Sequence, residues 1–400
     1  MHRTAAILLA LSLVPMASGL ALGQTIKVGA AVALTGSVSR EGRLLREGYA
    51  FWADRANQSG GILVGGKRYP VQLIVYDDES NAATSERLTE KLITQDKVQF
   101  LLGPYSSPIT LETSLVGEKS RVLTIAAMAN ADAIYERRFR YVVSVLPPAT
   151  AYMKRLLEMA RTLTPPPSTV AIMAVGSAFG ILVAEGVQEH ATRLGYRVVY
   201  SEKYPPQTTD VSVLLKQVKA ANPDLLVASS YFDEAVLIVK QAKQLKLCPK
   251  MLALTLGPEF PDFVKSLGKD ADYVYGSAWW LPNMGWKGRD FGSSRDYAAA
   301  MMKRTGREPT YLEAGGTAAG LFLQMAIEKA NSLDTDAVRA VFGTTDIETF
   351  WGPIAWNEKG QNVKGASGPI QIQNGRIVSV YPEHLREAPP AYPTPCWNRR

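Results

Sequence analysis

Three histidines and two cysteines bound the chemistry open to this 400-residue chain. They are His2, His190 and His384, with Cys248 and Cys396. So few soft ligands cannot build a zinc cluster or a disulfide scaffold. A Ser-His-Asp relay would need His190 or His384. The first falls late in a predicted helix and the second in a proline-rich tail, so both read as surface groups. The sequence holds no G-x-S-x-G, H-E-x-x-H, C-x-x-C or G-x-x-x-x-G-K-[ST] run. Gly315-Gly316-Thr317-Ala318-Ala319-Gly320 lacks dinucleotide-loop spacing and follows no strand, so it reads as close helix packing. Asp77-Asp78-Glu79 lacks the spaced acidic ligands of a calcium loop and reads as a solvated strand end. The expectation is a protein that is not an enzyme and that holds no metal or cofactor.

The elements that would position any binding residues are clear. Hydrophobic residues make up 46% and charged residues 20%, which suits two globular domains. The net charge of +7 is dispersed, with no basic block to suggest nucleic acid. Residues 1–23 read as a signal peptide: Arg3, an apolar run from Ala5 to Val14, then small residues up to Gly23. Cleavage is expected after Gly23, with Ala17 and Gly19 offering a second site. No Cys lies near the cut, so a lipid anchor is not expected. In an exported chain Cys248 and Cys396 are expected to pair.

From Thr25 the chain alternates buried-strand runs with helical periodicity. Strands are predicted at 25–34, 71–76, 98–102 and 121–126, with helices over 42–57 and 82–96. The pattern restarts with a helix over 150–162. Strands at 169–174, 196–201, 224–228 and 250–255 then alternate with helices over 179–194, 209–221 and 232–246. Crossovers of that length imply parallel pairing. The result is two doubly wound α/β blocks, with ligand beyond the carboxyl ends of the strands. A nearly all-helical stretch, 295–343, precedes a hairpin around Asn374-Gly375. Residues 382–400, rich in proline, read as an extended strap.

Several segments together resemble one family. They are Ile26-Lys27-Val28-Gly29 with Leu34-Thr35-Gly36, Asn57-Gln58-Ser59-Gly60-Gly61-Ile62, and Val75-Tyr76-Asp77-Asp78. Gly103-Pro104-Tyr105-Ser106-Ser107, Gly257-Pro258-Glu259, Trp351-Gly352-Pro353 and Trp356-Asn357-Glu358-Lys359-Gly360 come next in order. The chain resembles the periplasmic substrate-binding proteins of ABC transporters, leucine/isoleucine/valine-binding type. The resemblance implies a type I periplasmic binding fold, with two lobes joined by three crossovers and ligand in the cleft between them. Mapped here, the N-lobe holds 24–147 and 278–346, and the C-lobe holds 148–277 and 347–381.

The same resemblance implies roles for single residues. Ser107 matches a serine that binds the ligand carboxylate; read alone it is a plain N-cap. Met128 matches a backbone contact and Asn130 a polar one. Glu259 matches a glutamate that pairs with the ligand ammonium; read alone it is a carboxylate facing a helix dipole. Phe179 and Tyr231 match ring positions, and either can be a core aromatic. Tyr105, Arg40, Glu41, Trp279 and Trp280 fall near cleft-facing loops. The resemblance implies a monomeric periplasmic receptor that delivers an amino acid, branched-chain or otherwise hydrophobic, to a membrane permease. Aromatic carboxylates, amides or urea are the alternative ligands, and a sensory module is the alternative role.

Overall fold

The computed structural model describes residues 25–384 and 386–400. The signal-peptide reading over 1–23 lies outside the described residues. Five strands form the first sheet: β1 (Ile26–Val32), β2 (Val71–Asp77), β3 (Phe100–Leu102), β4 (Thr124–Ala126) and β5 (Val142–Ser144). All pair in parallel, in the order β2-β1-β3-β4-β5. The second sheet has seven strands. They are β6 (Thr169–Val175), β7 (Arg197–Tyr204), β8 (Leu225–Ser229), β9 (Met251–Leu254), β10 (Tyr275–Ala278), β11 (Gly368–Gln373) and β12 (Arg376–Ser379). Their order is β12-β11-β10-β9-β8-β6-β7. The antiparallel pairings are β10 with β11 and β11 with β12, the latter joined by the expected Asn374-Gly375 turn. Every residue of β6 is buried, as a strand covered by helices on both faces requires.

Five helices position the site: α1 (Ser39–Gln58), α2 (Ser107–Ser120), α3 (Phe232–Gln244), α4 (Pro261–Leu267) and α5 (Tyr311–Ala330). The predicted 295–343 stretch divides into 294–305, α5 and 335–342, broken at Gly306 and Asn331, both left-handed. The strands at 142–144 and 275–278, and the small hairpin of Ile62–Val64 with Lys67–Tyr69, had no counterpart in the sequence reading. Each is too short to show a period. Asp78 is a correction. It is fully buried, not solvated, and accepts from the Ser80 N–H and the Ser85 hydroxyl. Among the described residues no helix is long and apolar enough to cross a membrane.

The chain passes between the two sheets three times. It leaves the first after β5. It returns after β10 to place α5 on α1, then leaves again to supply β11 and β12. Small residues set the α1–α5 contact. A Cβ on Gly48 would lie 2.3 Å from the Glu313 carbonyl oxygen, and one on Gly320 2.1 Å from the Trp52 ring. The Gly48 carbonyl also accepts from the Thr317 hydroxyl at 3.0 Å. Gly48→Ala must therefore push the two helix backbones apart. We expect it to cost about 3 kcal/mol, read as a lower urea midpoint at unchanged slope.

The tail lies along the second sheet. The Thr394 N–H donates to the Lys250 carbonyl, and the Ala391 N–H to the Gln371 side chain. The Trp397 indole N–H donates to the Leu247 carbonyl. Cys248 and Cys396 are joined in a disulfide with Cα atoms 5.2 Å apart.

Candidate functional site

A cleft of about 570 Å³ opens between the two sheets. Its first wall holds Val38, Arg40 and Glu41, which come after β1, then Ser80 after β2 and Ser106, Pro108 and Ile109 after β3. The opposite wall holds Ser177 after β6, Gln207 to Thr209 after β7, and Tyr231 to Glu234 after β8. Each group lies beyond the carboxyl end of a parallel strand, where open α/β sheets bind their ligands.

The cleft narrows inward to a chamber of about 20 Å³, roughly one water in size. Tyr105, Ser107, Met128, Asn130, Phe179 and Tyr231 line it. The structure thus brings six of the seven expected binding residues together. Ser106, Leu146, Tyr152, Leu256, Trp279 and Tyr311 complete the wall. The Tyr152 ring sits edge-on to Trp279 at 4.8 Å and to Phe179 at 5.8 Å between centroids. Phe179 in turn meets Tyr231 at 5.8 Å. Trp280 lies away from the chamber and donates its indole N–H to the Phe350 carbonyl.

Ser107 opens α2, but its side chain does not cap the helix. Its Oγ accepts the N–H groups of Asn130 and Ala131 at 3.2 and 3.1 Å. With both lone pairs used, the hydroxyl proton is left to donate, which suits an anion. Ser106, the residue before it, takes φ 80°, a region costly for a side-chain-bearing residue and often found at ligand sites. The Asn130 amide donates to the Pro147 carbonyl at 2.9 Å, so its N–H₂ holds the first crossover. Met128 is 4% exposed, and its Cε fills the space above Gly315.

Glu259 stands apart from the six. It lies beyond the Tyr311 ring and lines a separate cavity of about 510 Å³. Its Oε2 accepts from the Gly257 N–H at 3.0 Å. Its Oε1 is buried and meets no hydrogen-bond donor among the described residues. Burial pushes the carboxyl up to about 8, against the backbone N–H bonds and the Arg40 charge that pull it down. Its charge bears on the phenols of Tyr105, Tyr152 and Tyr311. A buried carboxylate with one oxygen unpaired is built to receive a cation or to hold a proton.

Arg40 does not project freely into the cleft. Its guanidinium lies 4.3 Å from the ring centres of Phe232 and Phe260. It pairs with Glu41 and with Asp262 on α4, each at 3.1 Å. Glu41 is itself buried, and desolvation raises its carboxyl while Arg40 lowers it. One side chain from α1 is thus held by two rings and a carboxylate of the opposite body.

Sequence reasoning missed Tyr152 and Tyr311. Tyr152 comes from the crossover after β5, where nothing local marks it. Tyr311 had a signal. Thr310 and Glu313 form a capping box, a pattern legible as Thr310-Tyr311-Leu312-Glu313. It fixes the start of α5 and with it the ring that divides the chamber from the cavity behind.

Residues 25–376 match the periplasmic binding protein family. A curated relative, Leu/Ile/Val-binding protein homolog 7 of Brucella abortus, is 25% identical over 94% of this chain and 96% of its own. Among solved structures, a leucine-binding protein of Thermotoga maritima aligns with a TM-score of 0.78 at 19% identity, covering 88% of this chain and 97% of its own. An ABC-transporter solute-binding protein of Rhodopseudomonas palustris, in complex with 3,4-dihydroxybenzoic acid, aligns with a TM-score of 0.73 at 21% identity. It covers 94% of this chain and 99% of its own. These structures have the same two-body α/β fold, that of the type I periplasmic binding proteins.

Proposed function

The chain belongs to the periplasmic binding protein family, and on that premise we propose that it is a solute receptor that closes two lobes on an α-amino acid. It then delivers the ligand to the permease of an ABC-type transporter. It works in the periplasm as a monomer and performs no chemistry on its ligand. Hinges lie near residues 147, 278 and 346, where the chain changes body. Glu259 carries the reading: a buried carboxylate with one unpaired oxygen, across the Tyr311 ring from the chamber that holds the Ser107 hydroxyl. A ligand carboxylate would accept from Ser107, and its ammonium would pair with Glu259. The Leu/Ile/Val-binding relative supports an amino acid as the ligand class.

A second reading is favoured by the six rings around the chamber and by the dihydroxybenzoate held by the structural neighbour. An aromatic carboxylate could stack there, with Glu259 kept protonated. Thermal unfolding of stripped protein against amino acids, aromatic acids, amides and urea separates the two. A ligand at ~100 times its dissociation constant adds about 2.7 kcal/mol. Stabilisation by α-amino acids supports the first reading, and stabilisation by aromatic acids alone replaces it with the second.

Closure makes Arg40 a clasp. Its two ring contacts and its Asp262 pair hold one lobe to the other and would be lost on opening. Arg40→Ala is expected to speed ligand release about tenfold, with the unfolding midpoint of the ligand-free protein little changed. Stopped-flow tryptophan fluorescence reads the rate. An unaltered release rate would leave Arg40 as packing alone.

A further inference from the structure

Trp279 stands where the chamber meets the chain crossings. It follows β10 directly and opens the second crossover. It lines the chamber. It also lines a smaller cavity, of about 10 Å³, with Pro147 of the first crossover and with Asn362 and Gly365 of the segment that leads into β11. One side chain thus borders both the space open to a ligand and the space between the crossings. The crossings are tied together beside it. The Ser277 hydroxyl donates to the Ser367 hydroxyl at 2.8 Å, and Ser367 donates to the Tyr152 carbonyl. The Asn362 amide donates to the Val145 carbonyl at 2.8 Å.

Neither void leaves slack. At about 20 and 10 Å³, each holds one water at most, and close-packed side chains transmit a displacement instead of absorbing it. Rotation at the crossings must therefore move the Trp279 ring. That ring is 6% exposed. The chamber it borders is walled by Met128 and Tyr311 from the first lobe and by Phe179 and Tyr231 from the second. Parting the lobes uncovers the indole, so its burial favours the closed form. Resting on the reading that the lobes close on a ligand, we propose that Trp279 is the positioning residue that couples the filled chamber to the hinge. A ligand in the chamber completes the cover of the ring, and the ring holds the crossings in their closed setting. Trp280 is the internal control. It is 1% exposed, yet it meets the Tyr297 ring edge-on at 5.5 Å and donates to the Phe350 carbonyl, away from the chamber.

Spin labels on the two lobes test this. Cys248 and Cys396 are joined and are the only cysteines, so Glu79→Cys and Thr209→Cys, both at exposed positions after strands of opposite lobes, supply the only free thiols. Double electron–electron resonance on stripped protein, alone and with leucine or 3,4-dihydroxybenzoate, reads the separation. Trp279→Leu should raise the ratio of open to closed molecules about tenfold, and Trp279→Phe, which keeps a ring against Tyr152, about threefold. Trp280→Phe should lower the unfolding midpoint and leave the ratio as in wild type. A ratio that Trp279→Leu does not move, or that Trp280→Phe moves equally, overturns the inference and leaves the receptor standing. A single, unchanging separation in wild type under all three conditions overturns lobe closure and this inference together.

Discussion

Glu259→Gln is expected to abolish binding of α-amino acids while making the ligand-free protein more stable. The two effects have one cause. In this closed conformation the carboxyl is buried, with Oε1 unpaired and its ionisation pushed up to about 8. A carboxyl near 4.5 when unfolded and near 8 when folded contributes most to stability below the lower value. That contribution drains away as pH rises through the higher one. At pH 7 the accumulated loss is about 3 kcal/mol. Glutamine removes the ionisation but keeps a buried amide to satisfy, so a gain of about 2 kcal/mol is the fair expectation. Binding moves the other way. An ammonium facing an amide loses its counter-charge in a desolvated site, a loss of about 2–5 kcal/mol, or roughly 30- to several-thousand-fold in affinity. Thermal scans of both proteins at pH 7.5 and pH 5, with and without ligand, check both. The stability gap should shrink at pH 5, where the wild-type carboxyl is already protonated. A variant that is less stable at pH 7.5, or that keeps its amino-acid affinity, would remove Glu259 from the site.

The second large effect is on pH. If the ligand brings an ammonium, binding must strip the proton from Glu259, so affinity rises with pH until the carboxyl is ionised without help. With ionisation near 8, affinity should climb roughly fiftyfold between pH 6 and pH 8 and then level off. Arg40 and Glu41 also bear on this carboxyl, and Glu41 has a raised ionisation of its own. Glu41→Gln is therefore the control, and the slope should persist in it. Calorimetry at pH 6.5 in buffers of different ionisation enthalpy should register nearly one proton released per ligand. An aromatic acid without an amine reverses the sign. It would bind best to protonated Glu259 and lose affinity above pH 8. The slope thus identifies the ligand class before the ligand itself is known.

Much of this architecture could be read from periodicity. Runs such as Thr169–Val175 are buried throughout, and the helices between them repeat on one face, so element type was legible almost everywhere. What escaped was pairing held by backbone alone. The strand at Val142–Ser144 joins the sheet through three residues, too few to carry a pattern. The strap was legible from its prolines, but not its hydrogen bonds to the second sheet. At the site, strand ends drew attention to Ser107, Tyr231 and Glu259 because loops after parallel strands converge. Tyr152 and Tyr311 face the same chamber from a crossover and a helix start, and only the fold puts them there. Arg40 shows the limit most clearly. In sequence it reads only as a charge near a cleft-facing loop, yet its partner Asp262 lies 222 residues away. Gly315 to Gly320 was legible as close packing, though not that α1 would be the partner.

The order in which the lobes are completed has a consequence for how the chain is made. Every strand of the first sheet lies within residues 26–144, but the helix that covers Leu45, Tyr49 and Trp52 on α1 comes from 311–330. The second sheet waits for 368–379 to cover the edge of β10. Cys248 waits a further 148 residues for its partner. Neither lobe can bury its core while the ribosome is still in the first two thirds of the message, and such non-local closure is slow and exposes apolar surface. A nascent chain therefore exposes apolar surface until its last third is made. A prematurely terminated one would present to proteases the very face that the finished fold hides.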